Sequence, residues 1–328
     1  MNKTIAITGG TGHIGTALIE LLLKEDYIVR ALHHQSRPKI EHNNLTWFQG
    51  DINDPSVLAG LISGTNIVVH CAAIVSINDA ANKKLFEVNV NGTKSVINTC
   101  LRTSEVRLIH ISSSIVSKTR SNHSSFDESL PYRTDDGKSY DSSKIKAEKA
   151  IIEAVNKHDL DAVILRPTAV VGPPDYRPSL LGNMIHNLAK GHVPTITTGG
   201  YNMIDVRDLC KTIINSFEKA RKGEIYLLSG SFCSIKKLAK LANPYKSFIA
   251  IPTQLLLATF PVVDWYLKAI KFELPVTRKS LLTLQQSPKN MCDTKAKKEL
   301  NHSFRSIETT ISDLVDWFNK NSSGDDDK

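Results

Sequence analysis

Lys3-Thr-Ile-Ala-Ile-Thr8 runs directly into Thr8-Gly-Gly-Thr-Gly-His-Ile-Gly15, and an apolar helical pattern, Ile14–Lys24, follows at once. Gly9, Gly12 and Gly15 stand three apart at this junction. Glycine there lets the backbone turn sharply and lets a diphosphate approach the amides. The start of the following helix adds free N–H donors and a favourable dipole. A glycine cluster alone is a weak signal, but a strand before it and a helix after it make it a dinucleotide-binding pattern. Thr11, His13 and Ile14 complete the loop expected around the diphosphate.

The same rhythm continues outward. Near-continuous apolar runs at Tyr27–Leu32, Leu45–Gln49, Asn66–Ala72, Val106–Ser112, Ala162–Val170 and Glu224–Ser229 alternate with helical patterns at Pro55–Ile62, Lys83–Leu101, Asp141–Lys157 and Val206–Ala220. Runs of that kind are strands covered on both faces, and the alternation predicts an α/β fold, a Rossmann-type doubly wound parallel sheet. Pro173, Pro174 and Pro178 break the rhythm. We therefore expect a dinucleotide-binding domain over 1–172, with 203–230 returning to it. A smaller, mostly helical C-terminal substrate lobe is expected from 173–202 and 231–320, and a disordered tail over 321–328.

With 41% hydrophobic and 23% charged residues in 328, disordered and fibrous chains are excluded. Five scattered cysteines with no C-x-x-C pair argue against a disulfide framework or a cysteine zinc site, so no metal is expected and a reducing, cytoplasmic setting fits. No secretory signal is visible, and the greasy stretch Ile251–Phe272 is interrupted by Pro261, Asp264, Lys268 and Lys271. The net charge of +8 is concentrated: residues 231–305 hold thirteen Lys/Arg against four Asp/Glu. The basic residues are dispersed and lack an interleaved aromatic platform, so no nucleic-acid partner is expected. A solvated basic face is preferred to peripheral membrane contact, which stays open.

Sites that prefer NAD place an acid at the end of the second strand. This chain has Arg30-Ala-Leu-His-His-Gln-Ser-Arg37 there instead, and Arg30, His34 or Arg37 would suit a 2′-phosphate. NADP is favoured over NAD on that ground. Asp51-Ile52, after the third strand, is placed to flank the adenine.

Tyr140-Asp-Ser-Ser-Lys144 opens a helix, and residues four apart share one face. An ammonium beside a phenol stabilises the phenolate and lowers its pKa, which would make Tyr140 an acid–base group at neutral pH. Ser112-Ser-Ser114 lies at the carboxyl end of the strand Val106–Ile111, where ligands of such sheets sit, and could supply a hydroxyl that polarises a substrate oxygen.

Together with Gly50-Asp-Ile52, His70-Cys-Ala-Ala73, Asn89-Val-Asn-Gly-Thr93, Arg166-Pro-Thr-Ala-Val-Val-Gly-Pro173 and Asp205-Val-Arg-Asp208, these motifs resemble the extended short-chain dehydrogenase/reductases, the NAD(P)-dependent epimerase/dehydratase superfamily. The resemblance implies Tyr140 as general acid/base, Lys144 as its helper and holder of the nicotinamide ribose, and Ser113 as oxyanion partner, with Ser114 the other candidate. It implies a cofactor site lined by Cys71, Ala72, Ala73, Ile111, Pro167, Thr168 and Val170 and supported by Asn89. It also leaves a homodimer through helices of the nucleotide lobe open.

Departures from the family narrow the chemistry. No acidic pair follows Ser113, as a sugar-nucleotide dehydratase would need, because Ser114 and Ile115 stand there. Ala169 occupies the position where epimerases tend to carry an asparagine for the nucleotide diphosphate. The Pro167–Pro173 segment and the layout of the tail instead resemble dihydroflavonol-reductase-like and 3β-hydroxysteroid-dehydrogenase-like members. The expected function is thus an NAD(P)-dependent oxidoreductase interconverting a ketone or aldehyde and an alcohol on a bulky apolar, steroid-like or flavonoid-like small molecule. Leu255–Leu267, with Trp265, would suit a cover over such a substrate, a packed hairpin or a helix lying on a membrane. A nucleotide-sugar epimerase and a non-catalytic NADP-binding regulator are the competing readings.

Overall fold

The structure, a computed structural model, describes residues 3–35, 37–76, 83–118, 125–260 and 277–322. The second half of the expected cover, with Trp265, and the tail from 323 onward lie outside the described residues.

The chain first builds β1 (Thr4–Thr8), α1 (His13–Lys24), β2 (Ile28–His33), β3 (Leu45–Gln49), α2 (Pro55–Ile62) and β4 (Ile67–His70). A helix then runs through α3 (Lys83–Phe86), a π-helical turn (Glu87–Asn91) and α4 (Gly92–Leu101), followed by β5 (Arg107–Ile111), α5 (Tyr140–His158), β6 (Ala162–Pro167) and β7 (Ala169–Val171). Next come α6 (Leu180–Ala189), β8 (Thr195–Thr197), β9 (Gly200–Asp205), α7 (Val206–Lys219), β10 (Ile225–Leu228), β11 (Ser231–Ser234), α8 (Ile235–Ala242) and β12 (Ile249–Ile251). Residues 253–260 are helical (α9), and α10 (Arg278–Gln286), α11 (Thr294–Leu300) and α12 (Ile307–Ser322) close the described chain.

Seven strands form one sheet in the order β10-β6-β5-β4-β1-β2-β3, with every pair parallel. Alternation along each strand feeds two cores. Ile5, Ile7, Ile109 and Leu165 pack with Leu18, Leu22, Leu209 and Ile213 of α1 and α7. Ala6, Val68, Leu108 and Ile164 pack with Leu58, Val96 and Ile151 of α2, α4 and α5. Both faces are buried, which explains why these strands read as continuous apolar runs. The chain winds outward from β1 to β3 and then returns to β4 on the other side of β1. That reversal opens a crevice at the carboxyl ends of β1 and β4, where ligands of such sheets bind.

One expectation needs correction, and one gains detail. Ala162–Val170 is two strands, not one: β6 ends at Pro167, and β7 joins a separate sheet of order β11-β9-β7. Proline donates no ladder bond, and the Thr168 N–H goes to the Leu228 carbonyl (3.0 Å) before the chain departs. The second lobe also holds more than helices, because β8 and β12 pair in parallel beside the three-stranded sheet. Strands of three or four residues carry too few alternations to show a period of two. This lobe has its own core of Val171, Ile185, Leu188, Met203, Leu238 and Leu314. Ala296 and Leu300 of α11 pack instead into the main core.

Candidate active site

The first loop is shaped by what its glycines exclude. Gly9 has φ +72°, and a Cβ there would lie 2.6 Å from the Ala72 nitrogen. A Cβ on Gly15 would lie 2.1 Å from the Gly9 carbonyl oxygen. The Gly12 N–H closes the turn on the Gly9 carbonyl (3.0 Å), and the Thr16 hydroxyl holds the Gly10 carbonyl (3.1 Å). No side chain caps the N-terminus of α1 at Gly12, which leaves its first amides free for a diphosphate. Thr11, His13 and Ile14 are half-buried around that opening, and His13 Nε2 bonds the Gly172 carbonyl (2.7 Å). Gly15→Ala would force backbone apart. We expect at least about a tenfold loss of dinucleotide affinity by titration, the cost of overpacking by about 1–3 kcal/mol.

The next turn, after β4, is clamped from three sides. Cys71 N–H donates to the Thr8 carbonyl (3.1 Å) and Ala72 N–H to the Thr8 hydroxyl (3.3 Å). His70 bridges Thr8 Oγ1 (2.7 Å) and Thr93 Oγ1 (2.8 Å), tying β1 and β4 to α4. Burial, and then the charge of Lys144, lowers His70 to about 3, so this bridge is a neutral imidazole. Asn89, in the π-helical turn, donates to the Ile74 carbonyl (2.9 Å) and accepts from the Ile74 N–H (2.7 Å). It also donates to Ser143 Oγ (2.9 Å) on α5. Asn89 therefore braces the turn 71–76 against α5, and π-turns recur at functional sites. Ala73 lies within this braced turn.

The basic residues after the second strand divide. Arg30 is directed elsewhere, which corrects its expected role: its guanidinium donates to the Ser63 carbonyl at the end of α2. Its register position opposite Ala6 leaves three further residues of β2 before the strand ends. Arg37 and His34 are exposed at the carboxyl end of β2, with the Arg37 guanidinium 6.0 Å from the Trp47 ring and His34 Nε2 3.6 Å from Asp51 Oδ2. Asp51 also accepts from the Asn53 N–H (2.8 Å), while Ile52 is buried in the core beneath α2 and α4.

At the end of β5, the Ile111 carbonyl accepts from Lys144 Nζ (2.7 Å). Ser113 is half-buried with extended backbone, and its Oγ accepts from the Ile115 N–H (3.3 Å). Its own proton meets no protein acceptor among the described residues. Ser112 is buried with its hydroxyl unpartnered, and Thr168 at the end of β6 is likewise buried with a bare hydroxyl. Two orphan hydroxyls at the carboxyl ends of adjacent strands, together with the glycine cradle, fit a polar ligand lying along this edge, because unpaired buried groups are costly. Pro167 is buried and Val170 partly buried beside them.

Tyr140 is the first residue of α5, behind the cap that Ser139 makes to the Ser142 N–H (3.3 Å). Lys144, one turn on, is only 3% exposed. The expected lowering of the Tyr140 pKa is not found in the protein alone. Burial, and then the neighbouring charge of Asp141, raises it above the ordinary phenol value. Lys144 is lowered to about 8 by desolvation, with Glu148 opposing. Its charge is itself costly where it sits, and its proton is held on Ile111.

The sign of the lysine shift gives a test. The folded value of about 8 lies below the ordinary 10.5, so the unfolded chain binds the proton more tightly between them and this group's contribution to stability rises with pH across that window. The functional ammonium is lost over the same window. We expect turnover in pH-rate measurements to fall above about pH 8 and Lys144→Gln to lack that alkaline limb.

Glu148 was not singled out from the sequence, and Thr8 and Thr93 stood in the quoted motifs with no role of their own. Glu148 stands four residues after Lys144, a spacing that could have drawn notice. No group of three or more His, Cys, Asp or Glu placed to hold a metal occurs among the described residues, and none of their helices is long and apolar enough to cross a membrane.

Residues 5–229 match the model of the NAD dependent epimerase/dehydratase family. The chain is 28% identical to sterol demethylase protein B of Methylococcus capsulatus, over 96% of this chain and 98% of that protein. It is 31% identical to the decarboxylating sterol-4-alpha-carboxylate 3-dehydrogenase of Bos taurus, over 62% of this chain and 56% of that one. The crystal structure of gox2253 superimposes with a TM-score of 0.83 at 26% identity, covering 98% of this chain and 99% of the other. The glycine cradle, the braced turn after β4 and the Tyr140–Lys144 helix all fall within the matched span, and the chain belongs to the NAD dependent epimerase/dehydratase family.

Proposed function

We propose that this protein is an NAD(P)-dependent oxidoreductase that interconverts a secondary alcohol and a ketone on a polycyclic, sterol-class substrate. What supports the reading is that Lys144, one turn after Tyr140 on α5, reaches the Ile111 carbonyl two residues before Ser113, in the same sheet as an uncapped glycine-rich helix start. The names of the two sterol relatives supply the substrate class.

The nicotinamide supplies or accepts the hydride when bound. The rest falls to the chain. The Ser113 hydroxyl, whose proton no group among the described residues takes, polarises the substrate oxygen. Tyr140 donates its proton to that oxygen as the carbonyl carbon becomes a carbinol, and takes the proton back in oxidation. Its raised pKa keeps it protonated at neutral pH, the competent form for reduction. Lys144 would hold the ribose from a position fixed by the Ile111 carbonyl, and Asn89 braces the turn 71–76 against α5. Ser114 and Ile115 place no second proton donor after Ser113, so water elimination lacks its acid.

NADP is the preferred cofactor in this account, held at its 2′-phosphate by Arg37 and His34. Arg37→Ala should raise KM for NADP about tenfold and leave that for NAD unchanged, since a charge-assisted contact is worth roughly 1.5–3 kcal/mol. Equal effects on both would reject the assignment. The function itself is tested by following nicotinamide redox change with sterol 3-alcohols, 3-ketosteroids, flavonoid ketones and UDP-sugars. Turnover is expected with the polycyclic alcohols or ketones. No redox change with the polycyclic compounds, together with an epimerised product from UDP-sugars, would replace this reading with an epimerase.

A further inference from the structure

Two stretches of the second lobe carry basic side chains and no acid. Residues 176–204 and 231–260 contain no Asp or Glu, yet they hold Lys190, Lys236, Lys237, Lys240 and Lys246. Lys237 is paired with Glu308 of α12 (2.6 Å). Lys190, Lys236 and Lys240 are exposed, and Lys246 donates to the Gly191 carbonyl and has no acid as partner among the described residues.

Beside these lysines are apolar side chains that the fold leaves in water. Tyr245 is 98% exposed, Ile249 68% and Leu255 56%. All three fall within eleven residues along the two-stranded sheet, where β8 is the one partner of β12 among the described residues. Cross-links gather the segment with the lysines. Asn243 Nδ2 donates to the Ala189 carbonyl (2.9 Å), the Ile249 N–H donates to the Pro194 carbonyl (3.1 Å), and Lys246 reaches Gly191. The ends of α6 and α8, with Lys190 and Lys240, thus meet around Tyr245 and Ile249.

We propose that this edge docks on an anionic lipid bilayer, with Tyr245, Ile249 and Leu255 entering the headgroup boundary and Lys190, Lys240 and Lys246 contacting anionic headgroups. Apolar side chains rimmed by lysines are the pattern of interfacial binding, in which buried apolar area and attraction to anionic lipid act together. The charge excludes a second copy as occupant, because an isologous contact would set the same lysines against each other. The three residues of β12 are too short an edge for a peptide to extend by strand addition. Docking is independent of which alcohol the site turns over.

The test is flotation of the full chain with phosphatidylcholine vesicles and with vesicles that also contain phosphatidylserine. The chain should float with the anionic vesicles at least about tenfold more than with neutral ones, and raised salt should release it. Lys240→Glu with Lys246→Glu should abolish flotation, and Tyr245→Ser with Ile249→Asp should reduce it at least about tenfold, while both keep turnover of a water-soluble ketone. Lys94→Glu, on α4 of the nucleotide lobe, should float as the parent does. Equal flotation on both vesicle types, flotation unchanged in the two double variants, or none at all would overturn the proposal. In the last case an acidic protein becomes the partner to seek for this face.

Discussion

Tyr140→Phe is expected to lower turnover by about a hundred- to ten-thousandfold while leaving dinucleotide affinity unchanged. The substitution removes one oxygen and keeps the ring. The ring sits at the first turn of α5, whose capping bond from Ser139 does not involve the phenol. Nothing in the brace from Asn89 to Ser143 and Ile74 depends on the hydroxyl either. The loss should therefore appear in kcat, because the missing interaction is made with the developing alkoxide and not with the bound ground state. Single-turnover kinetics with a pre-bound dinucleotide would separate the two. Retained turnover would remove Tyr140 as the acid.

Glu148→Ala should cost about 3–5 kcal/mol of stability in chemical denaturation, the penalty of leaving one partner of a buried ion pair alone. The Glu148 carboxylate is 0% exposed and the Arg166 side chain 3%. Arg166 donates through Nε (3.0 Å) and Nη2 (2.6 Å) to that carboxylate, and Tyr132 donates its hydroxyl as well (2.9 Å). Glu148→Gln, which keeps the shape and some of the bonds, should cost less. The same carboxylate supports the charge of Lys144 one turn away, so its removal should also move the alkaline limb of the pH-rate profile to lower pH. A purely structural role would lower stability and leave that limb in place.

Much of this was legible in the sequence, for identifiable reasons. Strands buried on both faces, such as Val106–Ser112, announce themselves as apolar runs, and a glycine loop between strand and helix has few other uses. Tyr140 and Lys144 are four apart on a helix, so their shared face follows from helical geometry. Other features depend on contacts that no local pattern records. Arg30 had the right charge in the right stretch, yet its position in mid-strand sends the guanidinium to Ser63 and away from the crevice. Thr168 looked like one residue of a long strand and is instead the break between two sheets, with a hydroxyl left free there. The phenol pKa was read from one neighbouring charge, whereas burial dominates in the protein alone. The exposure of Tyr245 and Ile249 emerges only when β12 is seen at the edge of a two-stranded sheet.

The central claim is a net transfer of hydride between nicotinamide and a substrate carbon in the crevice above β1 and β4. Reduction of a 3-ketosteroid with NADPH deuterated at the transferable position tests it most directly. One deuterium is expected on the new carbinol carbon, with loss of the label from the dinucleotide in equal amount. An unlabelled product, or label that stays with the dinucleotide after many turnovers, would contradict it.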